Sequence, residues 1–328
     1  MSCGTDLAPS SLGRVDRHTH LEGSADQAWT IDQARSRALA LPIPLLRLWR
    51  GEAVSFDEFA EAFLFLAGLL DSPNAICSAV MAATARLTPG DGAVGGIDLW
   101  VSPQLLRRAK PSLNLASIWR GLDDGIALAA KQGVRVAVVV DTVKRHGPKE
   151  AAALLDQIVP ERPSWVVGFS SGGVEGSPFR EWAAVFSRAK QAGFHVATHA
   201  GETAGADSVR DAVLHGHIDR LIHAVRAVED PVVLDLLAER RIPVDVCIQS
   251  NRVLVPHVYP HPLPTMLRAG VRCALGTDDP GLILCDMGTE VQAAREAGCG
   301  LQDLRALARY AHEDAWCLLL RRNDGHFP

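Results

Sequence analysis

His18 and His20 stand one residue apart in VDRHTHLEGS, on a run that reads as a strand. Residues i and i+2 of a strand share a face, so both imidazoles can reach one ion. Alone, an H-x-H pair reads equally as hydrogen-bonded structural histidines. Its weight comes from company. His199 ends the run FHVATHA, and Asp278 lies in GTDDPG, a stretch that is also good turn chemistry by itself. Three neutral nitrogens and one carboxylate oxygen make a ligand set for zinc with a position left for water. Glu202 follows His199 by three residues in a glycine-containing loop, where a carboxyl outside the ligand set can transfer protons to a bound substrate. His223, inside LIHAV, reads either as a hydrogen-bonded core histidine or as the group that orients or deprotonates the water. SWVVGFSSGGVE contains no lysine to be carboxylated and bridge two metals, which favours a single ion.

Elements must bring these positions together. Eight short β-branched or apolar runs occur: the one ending at His20, then 94–101, 134–141, 164–170, 194–200, 220–225, 242–248 and 271–277. Stretches with helical apolar spacing lie between them, as at 148–159, 179–193, 230–241 and 262–270. This alternation predicts a (β/α)8 TIM barrel, although an open doubly wound sheet uses the same units. In a barrel, reactive groups collect at the carboxyl ends of the strands, where His18, His20, His199, His223 and Asp278 all fall. Residues 24–93 are too long for one crossover helix and predict extra helices inserted after the first strand, either over the barrel mouth or against its side. The whole chain, 1–328, is expected to form one barrel domain with residues 1–14 flexible.

Composition narrows the partners. With 48% apolar and 22% charged residues the chain can bury a large core, and a net charge of −5 gives no reason to expect nucleic acid or an anionic membrane. No apolar run approaches the ~20 residues of a membrane span. Seven scattered cysteines without a C-x-x-C pair, and a start lacking basic and apolar signal regions, point to reduced thiols in a cytoplasm.

HTHLEGS, GFSSGGVEG, THAGET, the histidine of RLIHAVRA, VCIQSN and GTDDPG, in that order, resemble the adenosine deaminase family of the amidohydrolase superfamily. The resemblance implies one zinc per subunit held by His18, His20, His199 and Asp278, and hydrolytic deamination of a 6-aminopurine nucleoside or related small molecule with release of ammonia. Water activated by the metal, with Asp278 among its catalytic groups, would attack the amino-bearing carbon while Glu202 protonates the adjacent ring nitrogen. His223 would hold and activate that water. Asp279 would accept a hydrogen bond at the imidazole edge of the purine, Gly173 would let the backbone approach the base, and Glu22 would touch the sugar or its replacement. The pattern departs at Ile222 and Ala224, where glycines usually flank the histidine, at Ile248 and Gln249, at Ser170 and Ser171 in place of Asp-Leu, and at Val174. Glu22, where adenosine-specific members more often carry aspartate, and GFSSGGVEG lean toward the branch acting on aminodeoxyfutalosine or modified adenines. Two other readings stay open: a zinc hydrolase of another C–N bond, and a non-catalytic nucleoside-binding descendant.

Overall fold

A computed structural model describes residues 14–87, 95–176 and 178–320. Residues 1–13, the 88–93 end of the insertion and Val94 of the second run lie outside the described residues. Eight parallel strands follow one another around a (β/α)8 barrel: β1 (Val15–His20), β2 (Gly95–Val101), β3 (Val134–Val143), β4 (Val166–Gly172), β5 (His195–Ala200), β6 (Arg220–His223), β7 (Val244–Val246) and β8 (Cys273–Leu275). The ring closes just beyond β8, where Asp278 takes the place of a strand residue beside Thr19. The amide of Asp278 donates to the carbonyl of His18 (2.9 Å), and the amide of His20 donates to the carbonyl of Asp278 (2.7 Å). Barrel closure thus seats a candidate ligand between two others.

Alternation along the strands sorts the apolar residues into two cores. Val136, Val138 and Val140 of β3 face outward into the layer between sheet and helices. Ala137 and Val139 face inward with Trp100, Ala197, Ile222 and Ala274, over a plug made by Ala311, Trp316 and Cys317. Burial on both faces explains why the strands read as nearly unbroken apolar runs.

The insertion contains α1 (Gln27–Ser36), α2 (Ile43–Leu48), α3 (Phe56–Leu69) and α4 (Pro73–Ala85). The two placements open from sequence divide between them. Helix α3 lies over the mouth, turning Phe56, Phe59, Ala60, Phe63 and Leu64 toward the cavity there. Those positions form one helical face, while Ala62, Leu66 and Leu69 on another pack with α2, Val253 and Leu282. A capping box from Ser55 and Glu58 starts it. Helix α4 belongs to the barrel's side: Ile76 and Val80 press against Gly121 and Gly125 of the helix Leu115–Lys131, where any Cβ would collide. Among the described residues no helix is long and apolar enough to cross a membrane, and Cys77, Cys247, Cys273, Cys285, Cys299 and Cys317 are free thiols.

Candidate active site

The cavity under α3 has about 1020 Å³ of empty space, counting the open solvent at its mouth. Its floor is made by the strand-end residues. His18 Nε2 lies 3.2 Å and His20 Nε2 lies 3.5 Å from Asp278 Oδ1. His20 Nε2 and His199 Nε2 are 3.3 Å apart. Ligands on a tetrahedral zinc at 2.0–2.1 Å are separated by about 3.3–3.4 Å, and these spacings match the edges of such a shell. Both ring nitrogens of fully buried His18 lack a hydrogen-bond partner, as expected where an ion is to bind. Burial pulls His20 down to about 3 and His18 and His199 below the usual imidazole range, which keeps the rings neutral as metal ligands must be. Burial alone would raise Asp278, but His18, with its Nε2 3.2 Å away, and the neighbouring imidazoles hold its carboxyl well below the usual range.

His223 joins the same cluster. One donor atom from each of His18, His199, His223 and Asp278 lies within 4.8 Å of the others, a grouping that takes in His223 and omits His20. Hydrogen-bond polarity distinguishes the two. The amide of Leu263, which can only donate, reaches His261 Nδ1 at 3.2 Å. His261 is held neutral by burial, pulled down to about 3, so its proton sits on Nε2 and is donated to Asn251 Oδ1 at 3.2 Å. The Asn251 amide group then donates to His223 Nδ1 at 3.3 Å. With Nδ1 accepting, His223 carries a proton on Nε2, 3.5 Å from Glu202 Oε1 and 3.8 Å from Asp278 Oδ2. A protonated nitrogen has no lone pair for a metal; it can donate to an oxygen at the cavity floor. His199 is oriented the opposite way, its Nδ1 donating to the carbonyl of Ser171 at 3.3 Å and leaving Nε2 bare.

The remaining acids are buried and short of partners. Burial raises Glu202 to about 7, against the pull of His223, and its Oε1 accepts no hydrogen bond. Burial with Asp278, Glu22 and Glu202 nearby lifts Asp279 well above the usual range. Asp279 lines the cavity and lies so close to Gly23 that a Cβ there would sit 1.9 Å from its Oδ1, which is why HLEG needs its glycine. Glu22 is fully buried behind this wall; one oxygen accepts from the amide of Ser102 (2.7 Å), the other has no partner, and burial raises the carboxyl to about 7. Gly173, at φ +87°, lines the cavity with its backbone.

Sequence reasoning missed Asp141, the polar end of β3, although the strand-end argument applied to it. Asp141 lines the cavity, its Oδ1 is unpartnered, and burial raises it to about 8. It also missed Lys144, whose Nζ donates to the carbonyl of His199. Asn251 ends the VCIQSN motif but was given no role there, and His261 carries no local pattern that marks it. The departures have local reasons. The carbonyl of Ser171, which any residue supplies, is what holds His199. Ile222 fills the inner core, and His223 and Ala224 take φ +65° and +50°, the left-handed conformation that a glycine adopts without strain.

A family model described as adenosine deaminase matches residues 13–324. The chain is 30% identical over 307 residues to an aminodeoxyfutalosine deaminase from Acidothermus cellulolyticus, covering 89% of this chain and 85% of that protein. It is 29% identical to an adenosine deaminase from Erwinia tasmaniensis, covering 91% and 92%. Two solved structures share the fold: an adenine deaminase from Arthrobacter aurescens (TM-score 0.81, 21% identity, 93% and 94% covered) and an amidohydrolase from Burkholderia ambifaria with bound zinc (TM-score 0.80, 20% identity, 96% and 89% covered).

Proposed function

The chain belongs to the adenosine deaminase family and is a metal-dependent amidohydrolase, and from that premise we propose that it uses one zinc ion to deaminate a 6-aminopurine nucleoside or a closely related adenine-containing small molecule. The observation that carries the reading is the convergence of His18, His20, His199 and Asp278 at coordination-edge spacing beside a proton-bearing Glu202. Those four would hold the zinc. When bound, zinc lowers the pKa of a coordinated water from 15.7 to about 7 and so supplies a nucleophile at neutral pH.

The protein's own groups do the rest. His223 aims its Nε2–H at the cavity floor and orients the attacking oxygen as a donor. Glu202, protonated up to about pH 7, gives its proton to the ring nitrogen next to the amino-bearing carbon, which makes that carbon electrophilic. Water adds, the amino group leaves as ammonia, and an oxo group takes its place. Asp279, at the cavity wall, makes the hydrogen bond at the imidazole edge of the purine. Gly173 admits the base edge to the backbone. Glu22, behind Ser102, shapes the corner that receives the sugar or its replacement.

The test is ammonia release from a panel of adenosine, adenine, methylthioadenosine, aminodeoxyfutalosine and substituted adenines, with zinc measured in the same protein. Release from at least one of them at about one zinc per chain is expected. No release from any, by protein with its zinc in place, would sink the proposal.

A further inference from the structure

Glu175, in the segment after β4, is a half-buried carboxylate with an unusual number of donors. Its Oε2 accepts from the amide of Gly201 (2.7 Å) and from the hydroxyl of Ser208. Its Oε1 accepts from the amides of Glu202 (2.9 Å), Thr203 (2.9 Å) and Ala204 (3.3 Å), and from the Thr203 hydroxyl (3.3 Å). Four successive amides converge because Gly201 adopts φ +71°, turning the loop into a nest for an anion. Burial opposes the charge, but Lys144, Ser208 and the amides outweigh it and hold the carboxyl below its ordinary range. The other end of the segment is held by a cation, since Lys144 donates to the carbonyl of His199. Between these two anchors, Glu202 Oε1 accepts no hydrogen bond of its own. With no hydrogen bond on Oε1, the place of the Glu202 carboxyl depends on its backbone, alongside His223 Nε2 at 3.5 Å.

We propose that Glu175 is a positioning residue that holds the loop Gly201–Ala204, and through it the Glu202 carboxyl, in the geometry that proton donation requires. The inference rests on the reading of Glu202 as proton donor. Displacing a reacting group by about 1 Å costs on the order of 100-fold in rate. Glu175→Gln keeps the size but replaces one acceptor oxygen with an amide that faces donors. Glu175→Asp keeps two acceptor oxygens on a shorter stem, so the ranking separates charge and acceptor number from simple packing.

The experiment uses the full chain loaded with zinc, and a substrate from which the wild type releases ammonia. Glu175→Gln is expected to lower kcat by on the order of 100-fold with KM nearly unchanged, and Glu175→Asp by less. Hydrogen exchange should show lost protection at the 201–204 amides in the Gln variant. On a Glu202→Gln background the same change should cost almost nothing more, since both act through one carboxyl. Unchanged exchange at 201–204, full additivity in the double variant, or Asp harming more than Gln would overturn the proposal. If Glu175→Gln does not fold, Glu175→Asp in single and double variants decides by the same criteria. Should the wild type release no ammonia from any substrate, the exchange measurement still decides whether Glu175 holds the loop, and the failure belongs to the substrate reading.

Discussion

In the lower half of the barrel, Arg17 meets Asp245 at 2.7 Å, and Arg220 meets Asp98 at 2.7 Å and Asp245 at 3.3 Å. Arg220 also lies over the ring of Trp316 and donates to the carbonyl of Asp314. Two cations answer two anions there. At the mouth, Asp278, Glu202, Asp279, Glu22 and Asp141 face a single buried lysine, Lys144, and three neutral imidazoles. Burial then raises Glu202 and Glu22 to about 7 and Asp141 to about 8. Both regions take charge out of water, but the lower one sets its carboxylates against two guanidinium groups at ion-pair distance, whereas the mouth sets five carboxyls against one lysine. That excess of carboxyls suits the mouth to a cation and a hydrogen-bonding ligand.

Substitutions should separate the two regions. His199→Ala is expected to reduce zinc well below one equivalent and lower activity by more than about 100-fold, since even residues that merely orient a ligand are worth about 10- to 100-fold. Metal analysis and ammonia release check it, and retention of full zinc would break the assignment of the mouth. Arg220→Ala strands Asp98 without its ion-pair partner and leaves Asp245 to Arg17 alone, and should cost about 3–5 kcal/mol of folding stability, read by denaturant unfolding. A loss comparable to that of an exposed pair such as Arg188–Asp156, below about 1 kcal/mol, would remove the contrast.

Asp141→Asn tests the mouth by pH. The folded-state carboxyl titrates at about 8 against 3.8 ordinarily, so its proton is bound more tightly in the folded chain. Its stabilising contribution is complete below about pH 4 and is lost as pH rises through 8. The asparagine variant should show a flatter stability curve across that window and gain on the order of 2 kcal/mol at pH 8, measured by thermal unfolding in metal-free buffer. The smallest expected effect is that of Glu202→Gln on stability near pH 4, where the carboxyl carries its proton in both folded and unfolded chain: kcat falls by about 10²–10⁴-fold at neutral pH, while the unfolding midpoint at pH 4 stays within about 2 °C, because Oε1 holds nothing together. A large drop in midpoint would make Glu202 structural.

The residues that read clearly from sequence were those whose position along a strand is also their position in space. His18, His20, His199 and His223 end or nearly end β1, β5 and β6, so a periodicity argument carries them to one face of the barrel. Asp141 at the end of β3 obeyed the same rule and went unread for want of a motif around it. Glu175 and His261 lie in irregular segments, and Asn251 in the short helix Ile248–Leu254, where no sustained period relates spacing to direction. Their roles rest on hydrogen bonds to chain 10 to 33 residues away.

The sequence by itself determined eight parallel strands, the helices between them, and a set of imidazoles and carboxyls at strand ends, because local apolar periodicity encodes each of these. Tertiary structure alone decided that α3 roofs the cavity while α4 buttresses the barrel's side, that His223 presents a proton where His199 presents a lone pair, and that Glu175 anchors the loop of Glu202. Tautomer, loop direction and lid placement depend on which donor meets which acceptor across the fold, and partners distant in sequence leave no periodic trace in it.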